Sequence, residues 1–318
     1  MKGWRSMRHD RAVSRGPNRP AAGGLGQGHS RRAATVSWTA LPSRAAGLGV
    51  LLLLSLASPT RAEDGRTYGL LLQGAEAEAF LRTARVVERE DLDEGVTRPQ
   101  RLTLSDGQRT LRATWKTIHQ HIPGMWRDER GGYQFDFRDS WKHEVAAYEL
   151  DKLLGLGMVP PTVAREIEGR RGSLQLWVEG VMTEDDRKER GITPKGPRDT
   201  IRLFNQMHCV RLFHQLTYNT DFRNIENILV DPDFRIYVID ASRAFRIQHD
   251  LLAPDDLECF SRATLDRLEA LDRPLVEKTM GELLDRRQVE GLLARRDKIL
   301  TLVKVRLIKE GPGKILFQ

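Results

Sequence analysis

The stretch "YNTDFRNIENILVDPDFRIYVIDASRAF", residues 218–245, narrows the possible folds of this chain more than any other segment. Two short apolar runs, "NILV" and "RIYVI", flank "DPDF", a turn built around Pro232. Runs of this length around such a turn read as a β-hairpin. Out-and-back geometry then brings Asn227 and Asp240 to the same open end, on adjacent strands about 5 Å apart. Asp221 follows the long apolar helix pattern "TIRLFNQMHCVRLFHQLTY" and lies just before the hairpin, in position to face the same end. Two readings fit the hairpin alone. Either these oxygen donors gather around a hard divalent cation such as Mg²⁺, which takes few protein ligands and shares the rest with water and phosphates, or they punctuate a surface hairpin.

A second constraint lies upstream. "DSWKHEVAAYELDKLLGLG" has Asp139 or Ser140 as a cap and Gly155 and Gly157 as stops, with Pro160 and Pro161 beyond, the end signals of a helix. A 100° wheel places Trp141, Glu144, Val145 and Tyr148 on one face, so Glu144 sits in an apolar patch. A buried carboxylate without a partner is costly and calls for a cation. Lys116, inside the strand-like "RATWKTI", is the natural candidate. In the other reading both side chains simply point to water.

Around these anchors the chain reads as α+β. A short helix over residues 75–84 is followed by strand-like "RVVERE", "QRLTL" and "TLRATWKTI", with Gly95 at a bend between the first two. "SLQLWVEG" (residues 173–180) is a further strand and "TEDDRKERGITPKGP" a polar loop. From Asp199 onward helices dominate. The expected organisation is a leader over residues 1–62, a small β-rich part with one long helix over 63–172, and a mainly helical part over 173–318.

The order of glycine bend, strand lysine, helix glutamate, linking strand, long helix, Asp, Asn, hairpin and Asp resembles the protein-kinase-like fold over nearly all of residues 75–318. "NTD" followed by Asn, the "ID" ending a strand, and "EVAAYELDKLLGLGMVPPTV" are similar to the atypical branch that holds type II phosphatidylinositol 4-kinases, secretory-pathway (Golgi casein kinase) type kinases and their bacterial relatives. The resemblance implies a two-lobed fold and an ATP-dependent phosphotransferase using Mg²⁺ or Mn²⁺ on a hydroxyl of a protein, lipid or sugar. It assigns Lys116 to the α- and β-phosphates of ATP, Glu144 to orienting that lysine, and Asp221 to the acceptor proton. Asn227 and Asp240 would hold the metal ions. Gly95 would approach the nucleotide, Trp177, Val178 and Glu179 would form the hinge beside adenine, and Arg243 is a candidate phosphate contact beside a structural ion-pair reading. The chain departs from the family pattern in two places. Asp221 and Asn227 stand six residues apart rather than five, which makes Asn224 an alternative ligand, and Gly95 stands alone where kinases carry several glycines. Nucleotidyl (AMP) transfer, as in the selenoprotein-O pseudokinases, and a non-catalytic binding module are the competing readings.

Charge does not point to nucleic acid. The formal net charge is +7, but residues 1–62 hold 10 Lys/Arg against Asp10 alone, leaving 41 basic and 43 acidic residues after them. Arg44 precedes "AAGLGVLLLLSLAS" and then "PTRA", with small residues where an export peptidase cuts. As a helix those 14 apolar-rich residues span about 21 Å against a hydrocarbon core of about 30 Å, so they read as a signal peptide rather than an anchor. Export is therefore expected. Cys209 and Cys259 lack metal-type spacing and read as unpaired thiols. His119 and His121 share a strand face without a third ligand nearby and are expected to be structural. N-terminal sequencing of the mature product is expected to begin at Glu63; a retained leader would remove the export reading.

Overall fold

The computed structural model describes residues 67–92, 99–127 and 132–318. The leader with its cleavage position at Ala62, and Gly95, lie outside the described residues. In what is described, a β-sheet-rich first part is followed by a mostly helical second part, an α+β arrangement.

Helix α1 (Gly74–Thr83) buries Ala77, Phe80 and Leu81 against a five-stranded antiparallel sheet. That sheet comprises β1 (Arg85–Asp91), β2 (Gln100–Ser105) and β3 (Thr110–Lys116), joined later in the chain by β6 (Thr162–Ile167) and β7 (Arg170–Leu176). The strand order is β1-β2-β3-β7-β6. Strict alternation in β3, where Leu111, Ala113 and Trp115 are buried and Arg112, Thr114 and Lys116 are not, gives the sheet one apolar face under α1 and one polar face. The sheet runs through Leu176, so the sequence-based border at 172/173 falls inside β7. The sequence pattern marks only the 173–180 strand here, and β6 takes its place through pairing, Val163 opposite Leu174.

Between β3 and the long helix α2 (Trp141–Leu154) stands a separate hairpin, β4 (His119–Arg127) and β5 (Tyr133–Ser140). Ser140 is the α2 N-cap, its hydroxyl accepting the Lys142 N–H at 3.2 Å, while Asp139 is free for another role. At the other end Gly155 takes a left-handed conformation (φ +63°), and a Cβ there would run into the Arg267 guanidinium. Trp141, Glu144, Val145 and Tyr148 are all buried, as the wheel requires. Farther along α2, Ala147, Leu150 and Leu154 enter the core of the helical part. One helix therefore packs into the second core while its first turn meets the sheet's polar face.

The segment 181–199 is not the plain loop its polarity suggests. After a two-residue strand, β8 (Met182–Thr183), the Thr183 hydroxyl accepts the Asp186 N–H at 3.0 Å and starts α3 (Glu184–Glu189), where buried Glu184 pairs with Arg187. Local capping and an i,i+3 ion pair outweigh the loop composition. Helix α4 (Pro197–Thr217) leads to the hairpin β9 (Ile228–Val230) and β10 (Ile236–Val238), paired Val238 to Ile228 and Ile236 to Val230 as the sequence implies. Strand β8 adds to the far edge of β9.

A short strand β11 (Phe260–Ser261), α5 (Arg262–Glu269), α6 (Arg273–Met280) and α7 (Arg286–Glu310) follow, then α8 (Pro312–Ile315) and β12 (Leu316–Phe317), which pairs parallel to β11. On the charge-rich helix α7, Arg295 is fully buried. Its guanidinium donates to the carbonyls of Leu216 at 2.8 Å, Arg246 at 2.9 Å and Gln248. Burial pushes its pKa down to about 9. Among the described residues no helix is long and apolar enough to cross a membrane, and Cys209 and Cys259 are both free thiols.

The turn from α2 into β6 hangs on buried Asp151, whose carboxylate accepts from the amides of Gly157 (3.0 Å), Met158 (3.0 Å) and Val159 (3.2 Å). Burial pushes its pKa up to about 6, and those amide bonds act in the opposite direction. Replacing Asp151 by Ala strands the buried amides of Met158 and Val159 and is expected to cost about 3 kcal/mol of unfolding free energy, read from urea midpoints at constant m.

Candidate active site

Lys116 closes β3, and its position on the polar face aims the ammonium at α2 and the end of the β9–β10 hairpin. Its Nζ donates to Glu144 Oε1 at 2.6 Å and to Asp240 Oδ1 at 2.8 Å. The second Glu144 oxygen accepts the backbone N–H of Ala241 at 3.1 Å. Asp240 has a left-handed backbone (φ +57°), a conformation Asp tolerates better than most residues, and this turn presents its carboxylate to Lys116 and the next amide to Glu144. The Ser242 hydroxyl also donates to Asp240 Oδ1, at 3.2 Å.

Electrostatics follow from one cation serving two acids. Burial disfavours the Lys116 ammonium, but Glu144 and Asp240 together more than offset this and hold its pKa above the ordinary lysine value. Glu144 is fully enclosed, and burial raises its pKa despite Lys116. Asp240, whose side chain is 41% exposed, goes the other way: Lys116 overcomes its partial desolvation and lowers it.

At the hairpin's open end, Asn227 Nδ2 donates to Asp221 Oδ2 at 3.2 Å, and the Ile239 amide donates to the Asn227 carbonyl at 3.0 Å. The six-residue spacing is absorbed by a 3₁₀ turn over Ile225–Asn227. Asn224 caps that turn, its side chain accepting the Glu226 N–H at 3.2 Å, and so has a structural task. The structure thus brings together Lys116, Glu144 and Asp240 as one group and Asp221 with Asn227 as another. The strand pairing that joins Asn227 to Ile239 places the two groups side by side.

Two further residues tie the site to its frame; the sequence offers Asp139 only as a cap candidate and does not single out His143. Asp139, buried at the end of β5, accepts from Arg243 Nε at 2.9 Å. Desolvation opposes the Arg243 charge, but Asp139, Asp240 and Asp221 acting together raise its pKa, so the guanidinium lies within the field of both site acids. His143 on α2 donates from Nδ1 to the Ser242 carbonyl at 2.7 Å, and its Nε2 lies 2.9 Å from Gln288 Nε2 on α7. That pair of partners requires neutral imidazole, with Nε2 accepting. Glu144 and His143 are sequence neighbours on α2, and each bonds the segment just after Asp240.

The expected hinge residues have other partners. The Glu179 carboxylate forms an ion pair with Arg112, and its backbone N–H and C=O exchange bonds with Gly69 at 2.9 and 2.7 Å. Val178 is buried, and Trp177 lies beside Arg101 and Arg112. His119 bonds the Ser140 hydroxyl (2.8 Å) and His121 the buried Asp136 carboxylate (3.0 Å), structural roles for both. Among the described residues no three His, Cys, Asp or Glu side chains converge as a metal-holding cluster. The donor set at the hairpin end is mixed, with the Asp240 carboxylate, the Asn227 amide oxygen left over by its Nδ2 bond, and Asp221. These are hard oxygen donors of the kind Mg²⁺ or Mn²⁺ accepts alongside water and phosphate.

A scan against protein-family models finds no match, and no curated protein matches the chain.

Burial holds the His143 pKa down to about 4, with Arg138 and Arg246 adding to the effect against the Ser242 hydrogen bond. The unfolded chain, with an ordinary imidazole near 6.5, takes up this proton first as pH falls. The contribution of neutral His143 is therefore complete above about pH 6.5 and declines toward pH 4, by about 3 kcal/mol in all. The stability gap between the wild type and His143→Gln, measured by denaturant titration, is expected to shrink or reverse over that window.

Proposed function

We propose that this chain is an atypical kinase-like phosphotransferase with a two-lobed protein-kinase-like fold. In this reading it moves a phosphoryl group from ATP to a hydroxyl of a protein, lipid or sugar, with Mg²⁺ or Mn²⁺, in an exported compartment. The observation that carries the reading is the bridge of Lys116 to both Glu144 and Asp240, three residues from a strand, a helix and a hairpin end with no local reason to meet. An ion cluster of this size, with Lys116 and Glu144 largely buried, is an expensive way to stabilise a fold. It is a sound way to hold a cation ready for phosphate oxygens.

Phosphoryl transfer asks the protein for positioning and charge neutralisation. Lys116, held by Glu144, meets the donor's phosphates. Asp221 accepts the proton of the acceptor hydroxyl, and the Asn227 amide fixes which carboxylate oxygen remains free to do so. Asp240 and Asn227 are the residues that would hold the metal, which supplies neutralisation of the phosphate charge when bound. Arg243, braced by Asp139, adds positive charge beside the same acids.

The purified chain is tested for transfer of label from γ-labelled ATP to a panel of protein, lipid and sugar acceptors. Asp240→Asn and Asp221→Asn, each checked for unchanged melting temperature, are each expected to lower the rate by about 100-fold or more. Transfer equal to the wild type in Asp240→Asn would refute catalysis at this site. The mass added to the acceptor separates phosphoryl from adenylyl transfer.

A further inference from the structure

Lys116 marks which face of the five-stranded sheet looks into the site. Side chains alternate along a strand, and directly opposed residues on antiparallel neighbours share a face. Arg112 and Thr114 therefore lie on the Lys116 side. The register puts Thr103 and Arg101 of β2 opposite Arg112 and Thr114, and Gln175 of β7 opposite Thr114. On β1, Glu88 and Glu90 stand opposite Thr103 and Arg101. Side-chain bonds confirm the shared face: Thr103 donates to Glu88 at 3.1 Å, and Arg101 pairs with Glu90.

This face is charged and hydrogen-bonding almost throughout, while the apolar residues of the same strands are committed to the opposite face under α1. A purine is ordinarily selected by stacking against aromatic or aliphatic surface and by a few fixed backbone groups. Trp177 is the aromatic residue here, and the guanidinium carbons of Arg101 and Arg112 each lie 5.4 Å from its ring centroid. Both arginines are in turn pinned by carboxylates, Glu90 and Glu179. Three of the fixed backbone groups are also engaged: both from Glu179 are bonded to Gly69, and the Trp177 amide donates to the Arg112 carbonyl at 2.9 Å. A base entering beside Trp177 would have to displace a paired guanidinium, whereas the phosphates would meet Lys116 with Arg243 close by.

We infer that the donor is recognised through its polyphosphate chain and not through its base, so that nucleoside triphosphates of any base and inorganic tripolyphosphate form one donor class. This rests on the phosphotransferase reading above and deepens it. Titration calorimetry on the full chain with Mg²⁺ compares ATP, GTP, CTP and inorganic tripolyphosphate, and repeats ATP with Trp177→Leu. All four affinities, and that of the variant for ATP, are expected to agree within about tenfold. ATP binding more than about tenfold tighter than any of the other three, or lost by that factor in Trp177→Leu, overturns the inference and leaves the phosphotransferase reading standing. Binding of none of the four overturns that reading and this inference with it.

Discussion

The site depends on one ammonium group shared between two carboxylates. Glu144 is enclosed by α2 and the segment after the hairpin, where an unpaired charge is not sustainable. Lys116 resolves this, and in doing so links the sheet to the helix; its second bond, to Asp240, links both to the hairpin. Because two acids share one cation, the cluster keeps a net negative character that a cation or a donor's counter-ion would complement. Of the two acids, the more exposed Asp240 has its pKa lowered by Lys116, whereas burial raises that of Glu144.

Around that cluster the frame is tied together by polar contacts as well as by apolar packing. Residues 241–253 make no regular strand or helix, and the first of them are bonded by α2 and the end of β5. The Ala241 amide reaches Glu144, the Ser242 carbonyl accepts from both the Ser140 amide (2.9 Å) and His143, and Arg243 reaches Asp139. Farther on, Arg295 gathers the carbonyls of Leu216, Arg246 and Gln248, joining the end of α4, the post-hairpin segment and α7. Buried polar groups of this kind are expensive when half satisfied, and here Asp139 Oδ1 and Arg295 Nη2 find no hydrogen-bond partner.

Much of the site was legible from residue types and periodicity. The 228–238 hairpin follows from two short apolar runs on either side of a turn at Pro232. Placing Asn227 and Asp240 at its open end needs only strand geometry. The pairing of Glu144 with Lys116 follows from asking where a carboxylate on an apolar helix face finds its counter-charge. What escaped were contacts with no sequence period. Asp139 looked like a helix cap and holds Arg243 instead. His143 sits one residue before the noticed Glu144 and carries no pattern of its own. Arg295 is fully buried although its helix is rich in charged residues, and Gly69, far upstream, pairs with Glu179.

The amino-acid sequence by itself determined the α+β division, the helix 141–154, the hairpin, and which acids and which lysine were worth joining, because period, turn chemistry and the cost of a buried charge act locally. Only the tertiary structure decided that Asp240 shares Lys116 with Glu144, that the side chain of Asn227 rather than that of Asn224 meets the Asp221 carboxylate, and that the face beside Trp177 is filled by paired arginines. Those outcomes depend on which strands become neighbours and in what register. Register is set by the summed packing of whole elements, which no short window of residues contains.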